Sequence, residues 1–367
     1  VTTFVKTIFN RTRCSPVGLQ IADSALHAVQ YSRSNGHVQV RTASQRISED
    51  DLHTDLRKLL DQHDFTGREI IAAMPSRDVD VRPLRLPIES KDMDSEAFLG
   101  ALTRNARSVL LYDPAEAVLD YLPLGEEENG QKDLNLLLVA TRKEHVNRLL
   151  AHFDKAHVKC RALDVSAQAG LRAVCQGPEA CALIELDHLS TNFSVGRNGS
   201  LLFSRLIKFG MKKILDEVAD ALGLSLPESE NSLARFGLDQ NVGVYKIEEA
   251  ATSGVLDRSL LSSVLHEAAL PALKRIADEV GRSLQYFRRL NQDLNVPQAL
   301  LTGPLIPEGV LEYLQNRLGC PVSLADPFSN MLDISNKGPM RHGEHACIYT
   351  VAAGLAIKEK CEWMNTQ

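Results

Sequence analysis

The chain has 367 residues, 44% of them hydrophobic and 24% charged, a balance that suits a soluble globular protein with room for two ordinary domains. Its formal net charge of -6 argues against a nucleic-acid-binding surface, which shows as a basic excess, and no stretch approaches the roughly 20 apolar residues that span a bilayer. The seven cysteines are odd in number, scattered and without a C-x-x-C pair, the pattern of reduced, buried thiols rather than of a disulfide framework.

Residues 1–16 form an N-terminal segment in which Phe4, Val5, Ile8 and Phe9 share one face of a short amphipathic helix. No secretory leader is expected, because 1–13 carries charge without an apolar core. Strands are predicted over 17–22, 26–32 and 37–42, joined by the turn Asp23-Ser24-Ala25 and by Ser34-Asn35-Gly36, whose Asn-Gly pair tolerates positive φ. A helix over 50–63 carries Leu52, Leu56, Leu59 and Leu60, and a short apolar run over 69–74 reads as a buried strand ended by Pro75.

The rhythm then changes. An edge strand over 79–86, a helix over 90–110, strands over 117–122 and 134–140 around the acidic loop 125–132, a helix over 144–156 and a strand over 158–163 make a compact α+β module, read as an insertion of about 78–163. After a helix over 166–174 the opening pattern returns. Strands over 182–186, 191–197 and 201–207 form a second meander with its own Asn198-Gly199 turn, an internal duplication of the first.

Gly210 opens a helix with Ile214, Val218 and Leu222, and 227–254 reads as polar loop. The longest helical pattern, 258–291, carries the stripe Leu273, Ile276, Val280, Leu284 and Phe287 and is expected to split into two helices at Pro271. A strand over 299–302 ends at Gly303-Pro304. A helix over 308–318, a strand over 322–325 and a closing helix over 348–358 complete the pattern, ahead of a tail over 359–367. The division is a first lobe over 17–175 and a second over 176–358, the latter with a helical subdomain over about 211–295.

Backbone amides in a tight turn between two strands can hold a phosphate, and two such turns facing each other can clasp a polyphosphate. Asp23-Ser24 and Ser190-Thr191 occupy equivalent points of the two meanders, Gly210 starts the helix after the second, and Thr302-Gly303 sits at a strand-to-loop exit where a base or ribose could pass close to the backbone. His342, His345 and Cys347 lie close together but read as polar loop rather than metal ligands, and no Walker-type loop, His-Glu-x-x-His helix or serine elbow is present.

Several stretches carry a further likeness: Val17-Gly18-Leu19-Gln20-Ile21, Ala72-Ala73-Met74-Pro75-Ser76, Tyr112-Asp113-Pro114-Ala115-Glu116, Ser190-Thr191-Asn192, Arg282-Ser283-Leu284-Gln285-Tyr286-Phe287 and Leu301-Thr302-Gly303. On these the chain resembles the PilM family of type IV pilus assembly proteins, kin to the cell-division protein FtsA. The resemblance implies an α/β, actin-like (ribonuclease H-like, duplicated) two-lobed fold with an inserted α+β subdomain in the first lobe. It implies ATP with Mg in the cleft, with Glu279 and Arg282 as ribose or adenine contacts. It also implies a cytoplasmic place beside the inner membrane, docked on the cytoplasmic tail of a PilN-like protein in a groove beside the inserted module. The candidate docking region is the 79–85 strand and the 90–110 helix.

The departures fall on the clasp. Where the family's first loop carries Asp, Gly and Lys, this chain has Gln20, Ala22 and His27, and Asp187 stands where the second loop carries Gly. Loss of the acid removes a magnesium partner, and a mostly neutral His replaces a fixed charge. Pro304 removes an N–H donor. The expectation is a non-catalytic scaffold with degenerate nucleotide-binding loops. The alternatives are an active ATP-binding ATPase or small-molecule kinase of the same fold, and a filament former of the FtsA kind.

Overall fold

The computed structural model describes residues 13–34, 37–48, 51–87, 95–124, 133–239, 258–329 and 346–359. The predicted N-terminal amphipathic helix, the Asn35-Gly36 turn, the acidic loop 125–132, His342 and His345 lie outside them.

Strands β1 (Arg13–Cys14), β2 (Val17–Ile21), β3 (Ala25–Ser34) and β4 (His37–Arg46) form the first meander. Helix α1 (Leu52–Gln62) follows, then β5 (Glu69–Met74), which pairs parallel to β2. β5 is buried on both faces. Ile70, Ala72 and Met74 meet α1, while Ile71 and Ala73 point to the opposite side, the two-residue alternation of a central strand.

β6 (Asp80–Pro87), helix α2 (Glu96–Ala106), β7 (Ala117–Pro123) and β8 (Asp133–Arg142) make a separate three-stranded sheet in the order β6-β8-β7. Phe98, Leu102 and Ala106 of α2 cover one face through Leu84, Leu86, Leu136 and Leu138, leaving the other face to look back at the lobes. Helix α3 (Lys143–Lys155) and β9 (Lys159–Val165) follow. The sequence grouped both with the inserted module. The hydrogen-bonded ladder of β9 instead runs parallel to β5, from Glu69↔Lys159 to Met74↔Val165, and α3 packs Leu149 and Phe153 beside α1. Periodicity identifies a strand but not its partner, which explains the difference.

Helix α4 (Ser166–Val174) leads to the second meander, β10 (Cys181–Leu186), β11 (Thr191–Arg197) and β12 (Ser200–Ile207). Asn198 and Gly199 both have positive φ, as a type I′ hairpin turn requires. Helix α5 (Met211–Leu222) is followed by α6 (Leu226–Phe236), where the sequence reading placed loop. Its start is a capping box between Ser225 and Glu228, with Pro227 in the first turn.

Helix α7 (Arg258–Leu290) runs unbroken through Pro271. Proline costs a helix one N–H bond, but Leu265 and Ala269 before it and Ala272 and Leu273 after it are all buried in one core, which holds both halves on one axis. β13 (Ala299–Thr302), α8 (Val310–Leu318), β14 (Val322–Leu324) and α9 (Thr350–Ala356) complete the chain. The second sheet has the order β12-β11-β10-β13-β14, with α5, α7 and α8 on one face.

Helix α4 joins the lobes. α4 sets Ala169 and Ala173 toward the first sheet and Ala167 and Leu171 toward Leu183 and Leu201 of the second. α9, from the far end of the chain, covers the first sheet through Val351, Ala352, Leu355 and Ala356.

Neighbours on α7 test its register. Phe287 is 1% exposed and Tyr286 is 43% exposed. Phe287→Ala should cost about 3–5 kcal/mol. Tyr286→Ala should cost far less, and urea denaturation of the two variants checks both.

Candidate functional site

The two meanders bring their first turns face to face, at the carboxyl ends of β2 and β10. Ligands of open α/β sheets are found at such strand ends. In the first turn the Ala22 N–H donates to Ala25 O at 2.9 Å, and Ser24 O accepts from the Ile47 N–H at 3.0 Å. In the second the Asp187 N–H donates to Ser190 O at 2.9 Å. The turns are hydrogen-bonded to each other. The Asp23 N–H donates to Asp187 Oδ2 at 3.0 Å, and the Leu189 N–H donates to Asp23 Oδ2 at 2.9 Å. Asp187 Oδ1 accepts from the His188 N–H at 2.7 Å, and Arg77 Nη1 reaches Asp23 Oδ1 at 2.6 Å.

Beneath the turns, Gln20 Nε2 donates to Glu185 Oε1 at 2.6 Å across the lobes. Burial, then the nearby Asp187 and Asp23, pushes the Glu185 carboxyl up to about 8, so it is largely protonated at neutral pH. Asp187 is raised as well, by burial first and by Asp23 second. His27 is buried, donates or accepts through Nδ1 with Ser44 Oγ at 3.0 Å on the adjoining strand, and is pushed down to about 4 by burial. It stands there as a neutral ring.

The other sequence-selected residues have structural work of their own. Thr191 Oγ1 donates to Phe209 O at 2.7 Å. A Cβ on Gly210 would lie 2.4 Å from Asp187 O and 2.5 Å from Ser190 N, and one on Gly303 would lie 2.2 Å from Leu186 O. Both positions need glycine because backbone already fills that space. Glu279 and Arg282 stand on α7. Glu279 Oε2 accepts from Arg205 Nη2 of β12 at 2.8 Å and also pairs with Arg282, beside a separate cavity lined by Arg288 and Arg289. Arg77, Gln20 and Glu185 were missed as interacting partners. Arg77 was visible only as a basic residue just past the end of a buried strand.

A second site lies under the free face of the inserted sheet. A cavity of about 240 Å³ separates that face from the first lobe, lined by Val118, Leu122 and Val139 on one side and Met74, Val146 and Leu163 on the other. Its polar end is an ion-pair cluster in which Asp164 binds Arg172 at 3.0 Å and Lys358 at 3.1 Å. The Thr141 hydroxyl, buried in the same lining, has no hydrogen-bond partner among the described residues. Helix α2, expected beside the groove, covers the opposite face of the sheet. Among the described residues no three His, Cys, Asp or Glu side chains are arranged to hold a metal ion, and no helix is long and apolar enough to cross a membrane.

The family model described as type IV pilus assembly protein PilM matches residues 18–360. The chain belongs to that family. Among solved structures, this PilM-family chain is similar to a chain of the PilM–PilN type IV pilus biogenesis complex, with a TM-score of 0.72 at 21% identity, covering 94% of this chain and 98% of that one. It is also similar to the ethanolamine utilization protein EutJ from Carboxydothermus hydrogenoformans, with a TM-score of 0.53 at 10% identity over 94% and 89% of the two chains. MreB 5 of Spiroplasma citri bound to AMPPNP gives 0.51 at 11% identity over 95% and 96%. At these identities the likeness is one of fold. The fold is actin-like, as the family resemblance implied.

The raised Glu185 carboxyl makes stability depend on pH. The folded state holds this proton more tightly than the unfolded chain, so stability falls as pH rises from the ordinary carboxylate range toward 8. Glu185→Gln keeps an acceptor oxygen for Gln20 and removes the titration. It should melt several degrees above the parent at pH 8, with the gap closing toward pH 4, as thermal melts across that range would record.

Proposed function

We propose that this PilM-family chain is a non-catalytic, actin-like scaffold in a type IV pilus or related secretion platform. It docks the cytoplasmic tail of a PilN-like inner-membrane protein, and through that tail and other platform proteins it works in the cytoplasm, peripheral to the inner membrane. The observation that carries the reading is the cavity between the inserted sheet and the first lobe. Its apolar walls suit side chains of an extended segment, and the unpartnered Thr141 hydroxyl offers a hydrogen bond that a bound peptide backbone would satisfy. The fold neighbour from a PilM–PilN complex supports the choice of partner.

The nucleotide clasp is read as degenerate. Amides that would face phosphate already donate to Asp23 and Asp187, the Gln20–Glu185 pair satisfies itself without a cation, and His27 carries no charge at neutral pH. This donor set does not fit Mg with a polyphosphate. The rival reading, an active ATPase or small-molecule kinase, draws on the AMPPNP-bound MreB 5 of the same fold. That reading needs a catalytic base beside an acceptor hydroxyl in the cleft.

Val118 tests the docking reading, because it lines the cavity yet is 44% exposed and tolerates change. The parent should retain the N-terminal cytoplasmic peptide of the PilN-like protein in a pull-down, and Val118→Arg should weaken that binding at least tenfold while folding normally. Failure of a well-folded parent to bind would overturn the assignment. Micromolar Mg-ATP binding in equilibrium dialysis, with a clear melting shift, would overturn the degenerate clasp.

A further inference from the structure

Two aspartates facing each other across a cleft repel, and partial burial makes the repulsion worse. Asp187 shows that cost, since burial and then Asp23 both raise its carboxyl. What offsets it is a set of hydrogen bonds from backbone amides. The Asp23 N–H and the His188 N–H point at the two oxygens of Asp187, and the Leu189 N–H points at Asp23. Charged acceptors make such bonds short and strong. Asp23 is oriented by Arg77, and its side chain is only 7% exposed. The second turn is shaped by the start of α5, whose Met211 and Lys212 amides donate to Asp187 O and His188 O, both at 2.8 Å. Each carboxylate therefore sits where amides favour an anion, and each is supplied by the opposite lobe.

We propose that Asp23 and Asp187 form a reciprocal latch across the cleft, each carboxylate holding an amide of the opposite turn. The latch pins the lobes at the turns and fills from within the amides that an anionic ligand would need. This rests on the reading of the turns as a former phosphate clasp. The lobes meet again at α4, at the base of the cleft, so a contact at the turns has leverage over cleft opening. The exposed Arg46–Glu230 pair, 3.2 Å apart, also bridges the lobes but contributes little in water.

Residue-resolved amide hydrogen exchange on the full chain tests the latch. In Asp187→Ala, exchange at the Asp23 amide should quicken at least tenfold, and in Asp23→Ala exchange at the Leu189 amide should quicken likewise. The signature is that each substitution deprotects the opposite turn. Deprotection confined to the substituted turn, or none, overturns the latch. Asp23→Asn and Asp187→Asn keep an acceptor oxygen and should give a smaller effect, which leaves the test readable if an alanine variant misfolds. Sodium tripolyphosphate, with and without Mg, is then titrated by calorimetry. Binding gained by Asp23→Ala/Asp187→Ala and absent from the parent supports occupation from within. Reciprocal deprotection with no gain in binding overturns that half and leaves the pinning. Tight binding by the parent, with its turns still protected, overturns the degenerate-clasp reading instead.

Discussion

A carboxyl group buried between two sheets must be hydrogen-bonded, neutralised or both, and Glu185 is both. It lies where the carboxyl ends of β2 and β10 meet, with the Gln20 amide donating to it from the other lobe. That bond joins residues 165 apart in sequence and fixes how the two central strands face each other. Once they do, the turns that follow each strand are also opposed, and Asp23 and Asp187 come within reach of each other's amides. An acid at position 20 would have set two carboxyls together and called for a cation. The amide removes one charge and supplies a donor, so the junction closes on itself.

Much of the fold was legible because it is local. The paired meanders announced themselves through alternation and turn chemistry, and Asn198-Gly199 has the backbone that its residues favour. The stripe on α7 from Leu273 to Phe287 is buried as its spacing implied. What escaped depends on partners or on competition between signals. Ser225 and Glu228 spelled a capping box, but the polar, proline-containing stretch around them outweighed it. Pro271 was given its cost without the packing that offsets it. β9 was recognised as a strand and grouped with the inserted module, whereas it pairs with β5, because apolar runs do not encode pairing.

The candidate site was legible in a narrower sense. Asp23 and the loop around Ser190 were picked out by their place in the repeat, and the structure brings those turns together. Their interaction was not legible, since it joins residues more than 160 positions apart. Gly303 was chosen for backbone approach to a ligand and Gly210 as the start of a helix, and neighbouring backbone demands glycine at both. Glu279 and Arg282 followed from the family likeness and are held by Arg205 on the outer strand of the second sheet. The architecture is the family's, and the contacts at its centre are those of Gln20, Glu185, Asp23 and Asp187.

The return of α9 to the first sheet has a consequence for how the molecule is made. One face of that sheet, including Val29, Tyr31, Ile71 and Ala73, is covered by a helix contributed by residues 350–356. During synthesis the first lobe's strands leave the ribosome hundreds of residues before α9, so the part of their apolar face that α4 does not cover waits bare. The second sheet takes α5, α7 and α8 on one face from residues 211–318, while its other face meets α4, made earlier, and Cys347 and Ile348, which emerge soon after β14. Vectorial synthesis therefore leaves the lobe that emerges first waiting longest for its cover.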